Sequence, residues 1–267
     1  ALVYGDRVYS WLETYNRCLK FASALERHGV GLGDTVSILA ANTPEIFETH
    51  HSVPMSGAVL NTINTRLEVD TIAYILDHSG ASFCIVSAAL EDDIPDAVST
   101  VVTPGPAWRR MQAGQPIDVV AVEKSDLAWL FYTSGTTGQP KGAMLSHGSL
   151  RQMTLSFFVD VEQLDCADSV IHAAPMSHGS GLDNFAALQA GANQVVPASG
   201  QFEPAELFKL IETYPGSFFF AAPTMIKKLL EAPAAAHADT SNLKNIIYGG
   251  GPMYLSDLKA AMNLFGN

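Results

Sequence analysis

The sequence predicts an α/β chain built as two α/β lobes, each with a largely parallel sheet flanked by helices. Three observations carry that prediction. Short apolar runs of strand length alternate with amphipathic runs of helix length over most of the chain. Several helical runs carry their own start and stop residues. With 267 residues, 48% of them hydrophobic, there is ample material for a large core in one or two domains.

In chain order, Leu12, Tyr15, Leu19, Ala22 and Leu25 recur at helix spacing, Ser10 with Glu13 reads as a capping box, and Gly29 supplies the stop. A strand follows over 36–40. Thr43 and Pro44 suit the N-cap and first position of a helix through about Met55, which gives way to a short strand at 58–61. A third helix over 71–78 stops at Gly80 and leads to a strand at 82–86. From 88 to 124 the pattern fails: Pro95, Pro104, Pro106 and Pro116 punctuate it, and Trp108, Arg109 and Arg110 read as surface loop. An apolar strand over 127–132 then meets a loop rich in Gly and hydroxyl side chains. Ser146 or His147 opens a helix through Leu150, Met153 and Phe157, and a strand over 169–174 follows. The remaining alternation is a strand at 194–196, a helix at 204–214, a strand at 217–221 and a helix at 223–231. An Ala/Pro linker at 232–238 precedes a strand at 245–248, which ends in Gly249, Gly250, Gly251 and Pro252.

The formal charge of −12 argues against nucleic acid or an anionic membrane surface as a general partner, so any phosphate must be held locally. Cys18, Cys84 and Cys166 are odd in number and lack C-x-x-C spacing, which fits a reducing compartment and a cytoplasmic protein. No apolar run approaches the ~18 residues of a membrane span, the longest being broken by Pro223. The chain opens at Ala1 without a methionine, which leaves room for an upstream segment. His28, His50, His51 and His78 lie on or at the ends of helices with no carboxylate or cysteine at metal-ligand spacing, and they read as structural.

The chemistry-bearing stretch is 130–147, LFYTSGTTGQPKGAMLSH. Gly135, Gly138 and Gly142 let the backbone turn sharply and bring N–H groups close to an anion. Thr133, Ser134, Thr136 and Thr137 add hydroxyl donors, and Lys141 adds a point charge on a flexible stem. Hydrogen bonds to a charged partner contribute roughly 1.5–3 kcal/mol each, so several converging on one polyphosphate fix its position. The spacing excludes a G-x-x-x-x-G-K-[ST] kinase loop, because Lys141 follows Pro140 and precedes Gly142. A dinucleotide fingerprint is excluded as well, since Gly29, Gly31 and Gly33 lead into a strand instead of out of one.

Residues 132–142 resemble the phosphate loop of the adenylate-forming, AMP-binding superfamily, which contains acyl-CoA synthetases, aryl-CoA ligases, peptide-synthetase adenylation domains and luciferases. The resemblance extends more weakly from about Ser10 to the last residue. It implies that Lys141, Thr133 and His178 serve catalysis and that Thr133, Ser134, Gly135, Thr136, Thr137, Gly138 and Lys141 hold the ATP phosphates. The segment Pro175-Met176-Ser177-His178-Gly179-Ser180-Gly181 resembles the second signature, in which a histidine or aromatic side chain stands between the α-phosphate and the acyl pocket. His178, Gly179, Ser180, Gly181, Ala222 and Thr224 would then line the acid site. Gly249, Gly250, Gly251 and Pro252 resemble the turn against adenine, with Gly251 where alanine is usual.

The reaction implied is attack of a carboxylate on the α-phosphorus of ATP with Mg2+, giving acyl-adenylate and pyrophosphate, followed by capture with coenzyme A. The family's magnesium-binding Glu, ribose-binding Asp, hinge and lid with its catalytic Lys would follow residue 267, so no metal ligand is assigned here. On this reading the chain is the N-terminal domain of such an enzyme without its C-terminal lid. One lobe comprises 1–32 with 165–267, the other 33–164, and the piece is expected to fold alone without turning over. A CoA ligase of fatty acid metabolism or aryl-acid activation is favoured, because His178 stands where amino-acid adenylation domains carry a Phe-Asp pair and Asp183 is out of register with it. An amino-acid adenylation domain and a non-catalytic nucleotide-binding module are the alternatives. No Lys or Arg lies between 172 and 188, so a monocarboxylic acid is expected.

Overall fold

The computed structural model describes residues 1–133 and 138–266; Ser134, Gly135, Thr136, Thr137 and Asn267 lie outside the described residues. The elements in chain order begin with β1 (Leu2–Tyr4), β2 (Arg7–Tyr9), α1 (Trp11–Arg27), β3 (Thr35–Leu39), α2 (Pro44–Met55), β4 (Val59–Thr62) and α3 (Val69–His78). They continue with β5 (Phe83–Ser87), β6 (Ser99–Thr103), α4 (Pro106–Met111), β7 (Leu127–Thr133), β8 (Lys141–Ser146) and α5 (His147–Asp160). Then come β9 (Ser169–Ile171), α6 (Gly179–Ala190), β10 (Asn193–Val196), α7 (Pro204–Thr213), β11 (Ser217–Ala221), α8 (Pro223–Glu231), β12 (Leu243–Tyr248) and α9 (Leu255–Phe265).

The chain divides into two compact units, one of Ala1–Tyr9 with Thr154–Asn267 and the other of Ser10–Met153. The first unit holds a six-stranded sheet in the order β12-β11-β9-β10-β1-β2. All of its pairs are parallel except β1 with β2. The second holds a six-stranded sheet in the order β6-β5-β3-β4-β7-β8, parallel except for β7 with β8. Both sheets are thus largely parallel, as the alternating pattern predicts.

In the second unit, α1 begins as its sequence dictates. The Glu13 N–H donates to Ser10 Oγ at 3.2 Å and the Ser10 N–H donates to Glu13 Oε2 at 2.7 Å, a reciprocal pair. Its buried face packs on α2, where Arg17 forms an ion pair with the fully buried Glu48. The same helix packs on α4, with the Phe21 and Trp108 rings 4.3 Å apart. These contacts explain why the units divide at Tyr9/Ser10, where the sequence reading placed the boundary at 32/33. The other boundary falls at Met153/Thr154, inside α5, where the sequence reading placed it at 164/165.

Residues 88–124 are more regular than their prolines suggest. They contain a 3-10 turn at Ala88–Asp93, the strand β6 and the helix α4 with Pro106 at its first turn. Trp108 is only 3% exposed and belongs to the core, which corrects its reading as surface loop. The segment read as a linker at 232–238 contains a second 3-10 turn, Pro233–His237, with Ala232, Ala234, Ala235 and Ala238 packed against the core. The four helix-borne histidines are structural where the structure gives their partners. His28 and His50 each bond the carbonyl four residues back, and His51 packs its ring on Phe47.

Replacing Trp108 with Ala removes a buried indole from the α1–α4 contact and should cost about 3–5 kcal/mol of stability. Urea denaturation of Trp108→Ala checks this, and an unchanged midpoint would return 106–111 to the surface.

Candidate active site

In the second unit the β7–β8 hairpin pairs Thr133 with Lys141 and Tyr132 with Gly142. Residues directly opposite in an antiparallel pair share a face, their Cβ atoms about 4.5–5.5 Å apart, so the Thr133 hydroxyl and the Lys141 stem rise side by side from the mouth of the loop. Both are exposed, and among the described residues Lys141 has no ion-pair partner. Ser134, Gly135, Thr136 and Thr137 fall outside the described residues. Gly138 adopts φ +93°, a conformation that L side chains rarely take.

Beneath the hairpin lies Tyr132, 6% exposed. A Cβ at Gly142 would meet its ring at 3.2 Å, so the glycine serves the tyrosine as well as the turn. The phenol oxygen is hydrogen-bonded to His78 Nδ1 at 2.7 Å, and the His78 ring stacks on Tyr74 with centroids 5.3 Å apart. Burial raises the Tyr132 pKa, so the phenol stays protonated around neutrality. Sequence reasoning placed His78 on its helix but gave no sign of this bond, which joins residues 54 apart.

In the first unit β9, β11 and β12 run parallel, so their C-terminal ends reach one edge of the sheet. Ligands of open α/β sheets bind at that edge. Three segments leave from it: 172–178 after β9, which leads into the predicted stretch Pro175 to Gly181, then 222–224 after β11, and Gly249 to Pro252 after β12. The Gly249 N–H donates to the Ala221 carbonyl at 3.3 Å, which binds two of the exits together. The Phe220 ring joins the third, because it occupies the Cβ space of both Gly179, at 2.8 Å, and Gly249, at 3.3 Å. Gly250 adopts φ +79° and is exposed with Gly251 and Pro252, while Thr224 is exposed in the first turn of α8.

His178 is the N-cap of α6, its Nδ1 2.9 Å from Ser177 Oγ. Burial lowers its pKa, which leaves the imidazole neutral at pH 7. The structure turns Ser180 inward, with its fully buried hydroxyl 2.8 Å from His172 Nδ1. The His172 Nε2 lies 2.7 Å from Gln194 Oε1. The Gln194 amide donates to the Asn184 carbonyl at 3.0 Å, and the Asn184 amide donates to the Gly181 carbonyl at 2.6 Å. This network ties the first turn of α6 to β10 and to the segment after β9. Ser180 and Gly181 thereby fix where His178 stands. Their signal in the sequence was the Gly-Ser-Gly run alone. Asp183, on the same helix, is 8% exposed; burial pushes its carboxyl up to about 7, and its Oδ2 has no hydrogen-bond partner among the described residues.

Among the described residues no group of three or more His, Cys, Asp or Glu is placed to hold a metal, and no helix is long and apolar enough to cross a membrane. The family model for AMP-binding enzyme matches residues 1–267. The chain belongs to the AMP-binding enzyme family. Within that family it is similar to an acetate–CoA ligase of Humulus lupulus, 31% identical over 271 residues, covering 87% of this chain and 46% of the ligase. It is also similar to a peroxisomal benzoate–CoA ligase of Arabidopsis thaliana, 28% identical over 284 residues, covering 94% of this chain and 48% of that protein. Among solved AMP-binding enzymes, O-succinylbenzoate coenzyme A synthetase from Bacillus subtilis in complex with AMP superposes with a TM-score of 0.86. It is 25% identical, with 99% of this chain and 67% of that chain covered. The chain spans about half the length of the curated relatives it matches.

Two outcomes follow from this geometry. Gly179→Ala places a methyl inside the Phe220 ring, which Gly249 backs on its other side, and should cost about 1–3 kcal/mol, read as a lower Tm. The Asp183 carboxyl is protonated in folded and unfolded chain alike below about pH 4. As the pH rises toward 7 the unfolded chain ionises first, so the stability this group contributes at low pH is lost through that window. Asp183→Asn should therefore gain Tm on the wild type between pH 4 and pH 8, and parallel Tm curves would remove the raised pKa.

Proposed function

We propose that this chain is the ATP- and acid-binding portion of an AMP-forming acid–thiol ligase, an enzyme that converts a monocarboxylic acid to its acyl-adenylate and then to acyl-CoA. The observation that carries the reading is the β7–β8 register, which sets Thr133 and Lys141 side by side at the mouth of a Gly/Thr/Ser loop. Membership of the AMP-binding enzyme family supports it.

Phosphoryl and adenylyl transfers leave little covalent work to the protein, so positioning and charge stabilisation dominate. Lys141 neutralises charge that develops on the departing pyrophosphate, and Thr133 with the loop hydroxyls and N–H groups orients the β- and γ-phosphates. Magnesium supplies further neutralisation of the triphosphate when bound; its Glu ligand, like the lid lysine, is assigned to chain outside these 267 residues. In the first unit, Gly249 to Pro252 offer a flat surface for adenine, and Ala222 and Thr224 flank the acid. The neutral His178 ring puts a hydrogen-bonding group beside the acid without adding a charge.

No Lys or Arg lies between 172 and 188 to pair with a second carboxylate, which supports a monocarboxylic aliphatic or aromatic acid. The relatives' names, acetate–CoA ligase and benzoate–CoA ligase, agree with that class. A reducing compartment suits the three free cysteines; we assign the cytoplasm on that ground, while several relatives are described as peroxisomal.

ATP–pyrophosphate exchange by the natural protein that carries this chain, with a panel of fatty, aromatic, dicarboxylic and amino acids, tests the assignment. Exchange with monocarboxylic acids is expected, and preference for a dicarboxylic or amino acid would contradict it. Lys141→Ala should lower kcat/KM for ATP by roughly 10- to 1000-fold with the fold intact, as for loss of one preorganised donor. An unchanged value would remove the phosphate role.

A further inference from the structure

Asp183 is a buried acid near the candidate acid site whose Oδ2 has no hydrogen-bond partner among the described residues. It lies four residues after Gly179 and four before Ala187, so the three form one stripe of α6. Gly179 meets the Phe220 ring, and Ala187 belongs to the apolar cluster of Phe218 and Val170. Phe218 and Phe220, two apart on β11, project from the same face of the sheet. Asp183 therefore sits on the sheet-facing stripe between an aromatic contact near the strand's end and one near its start. Helical side chains lean toward the helix N-terminus, so its carboxyl is directed back toward Gly179 and the edge where Ala222 and Gly249 emerge.

Asp183 is 8% exposed, and its buried Oδ2 has no hydrogen-bond partner among the described residues. On the neighbouring stripe the Ser180 hydroxyl and the Asn184 amide are bound into the His172–Gln194 network, while Asn184 Oδ1, like Asp183 Oδ2, has no hydrogen-bond partner among the described residues. A buried acceptor left unmade costs free energy and is kept where something else completes it. We propose that Asp183 is a specificity-determining residue that hydrogen-bonds a hydroxyl on the acid being activated, so that hydroxy acids, phenolic or aliphatic, are the preferred substrate class.

The partner is a hydroxyl and not an ammonium. Burial disfavours the charged carboxylate an ammonium would need, and with its pKa raised to about 7 the group is shared between two protonation states at neutral pH. A hydroxyl serves both states, donating to the carboxylate and accepting from the acid. This inference rests on the ligase reading above, with the acid at the strand-end edge of the first unit.

The test compares kcat/KM in ATP–pyrophosphate exchange for matched pairs, benzoic against 4-hydroxybenzoic acid and hexanoic against 6-hydroxyhexanoic acid, in the natural protein that carries this chain. Wild type should favour the hydroxylated member of at least one pair by roughly 10- to 100-fold. Asp183→Leu should reverse that preference, and Asp183→Asn, which still offers an amide to the hydroxyl, should retain it. Relief of the unpartnered group should also raise the Tm of Asp183→Leu by about 2–4 °C. A lower Tm, indifference to the hydroxyl, or a preference for an amino-substituted acid that Asp183→Leu abolishes would each overturn the proposal. If Asp183→Leu does not fold, the wild-type ratio decides by itself. Activation of acids without regard to the hydroxyl overturns this inference alone, whereas activation of no acid overturns the ligase reading with it.

Discussion

Parallel strand pairing is the constraint from which the rest follows. A chain that must return to the same end of a sheet before each new strand spends a helix on every return and delivers every strand-end loop to one edge. In the first unit β9, β11 and β12 obey that rule, and three segments far apart in sequence leave the sheet together. The Phe220 ring then sets their spacing, because two glycines, 179 and 249, leave it the room that side chains would fill. In the second unit the rule is broken once, at the edge, where β8 turns back along β7. That antiparallel return brings the exposed Thr133 and Lys141 opposite each other at the open end of the hairpin.

Buried polar groups carry the local precision. Glu48 is tolerated at full burial because Arg17 meets it from α1 and Gln112 from the C-cap of α4. Removing one partner of such a pair strands a buried charge, so the three elements are fixed as a set. The His172–Ser180–Gln194–Asn184 chain plays the same part for α6, where a helix opening on Gly-Ser-Gly has little propensity of its own.

Much of this was legible in the sequence, and the exceptions share a cause. The helix from Pro44 to Met55 and the helix from Pro223 to Glu231 match their readings end to end, since proline at the first turn marks the start without tertiary help. The glycines, hydroxyl side chains and lysine at 133–142 read as an anion loop from their composition, and the structure sets Thr133 opposite Lys141. The helices α4 and α6 were hidden: one is six residues long and crowded by prolines, the other begins with weak helix formers that only burial stabilises. The strand β8 was hidden because it is a largely exposed edge with no apolar alternation. The inward turn of Ser180 and the bond between His78 and Tyr132 depend on contacts across long stretches of chain, which no local pattern records.

The pairing of Tyr132 with Gly142 sets a reading frame for the β7–β8 hairpin. Because strand side chains alternate with a period of two, lengthening or shortening β8 by one residue would exchange its faces, set Lys141 or Ala143 against the tyrosine ring, and displace the cation from beside Thr133. Insertions between Thr133 and Lys141 carry no such penalty beyond a small loop-closure entropy. For folding alone, then, the length of the loop is loosely held while the interval from Lys141 to the end of β8 is locked, and that lock belongs to the sheet.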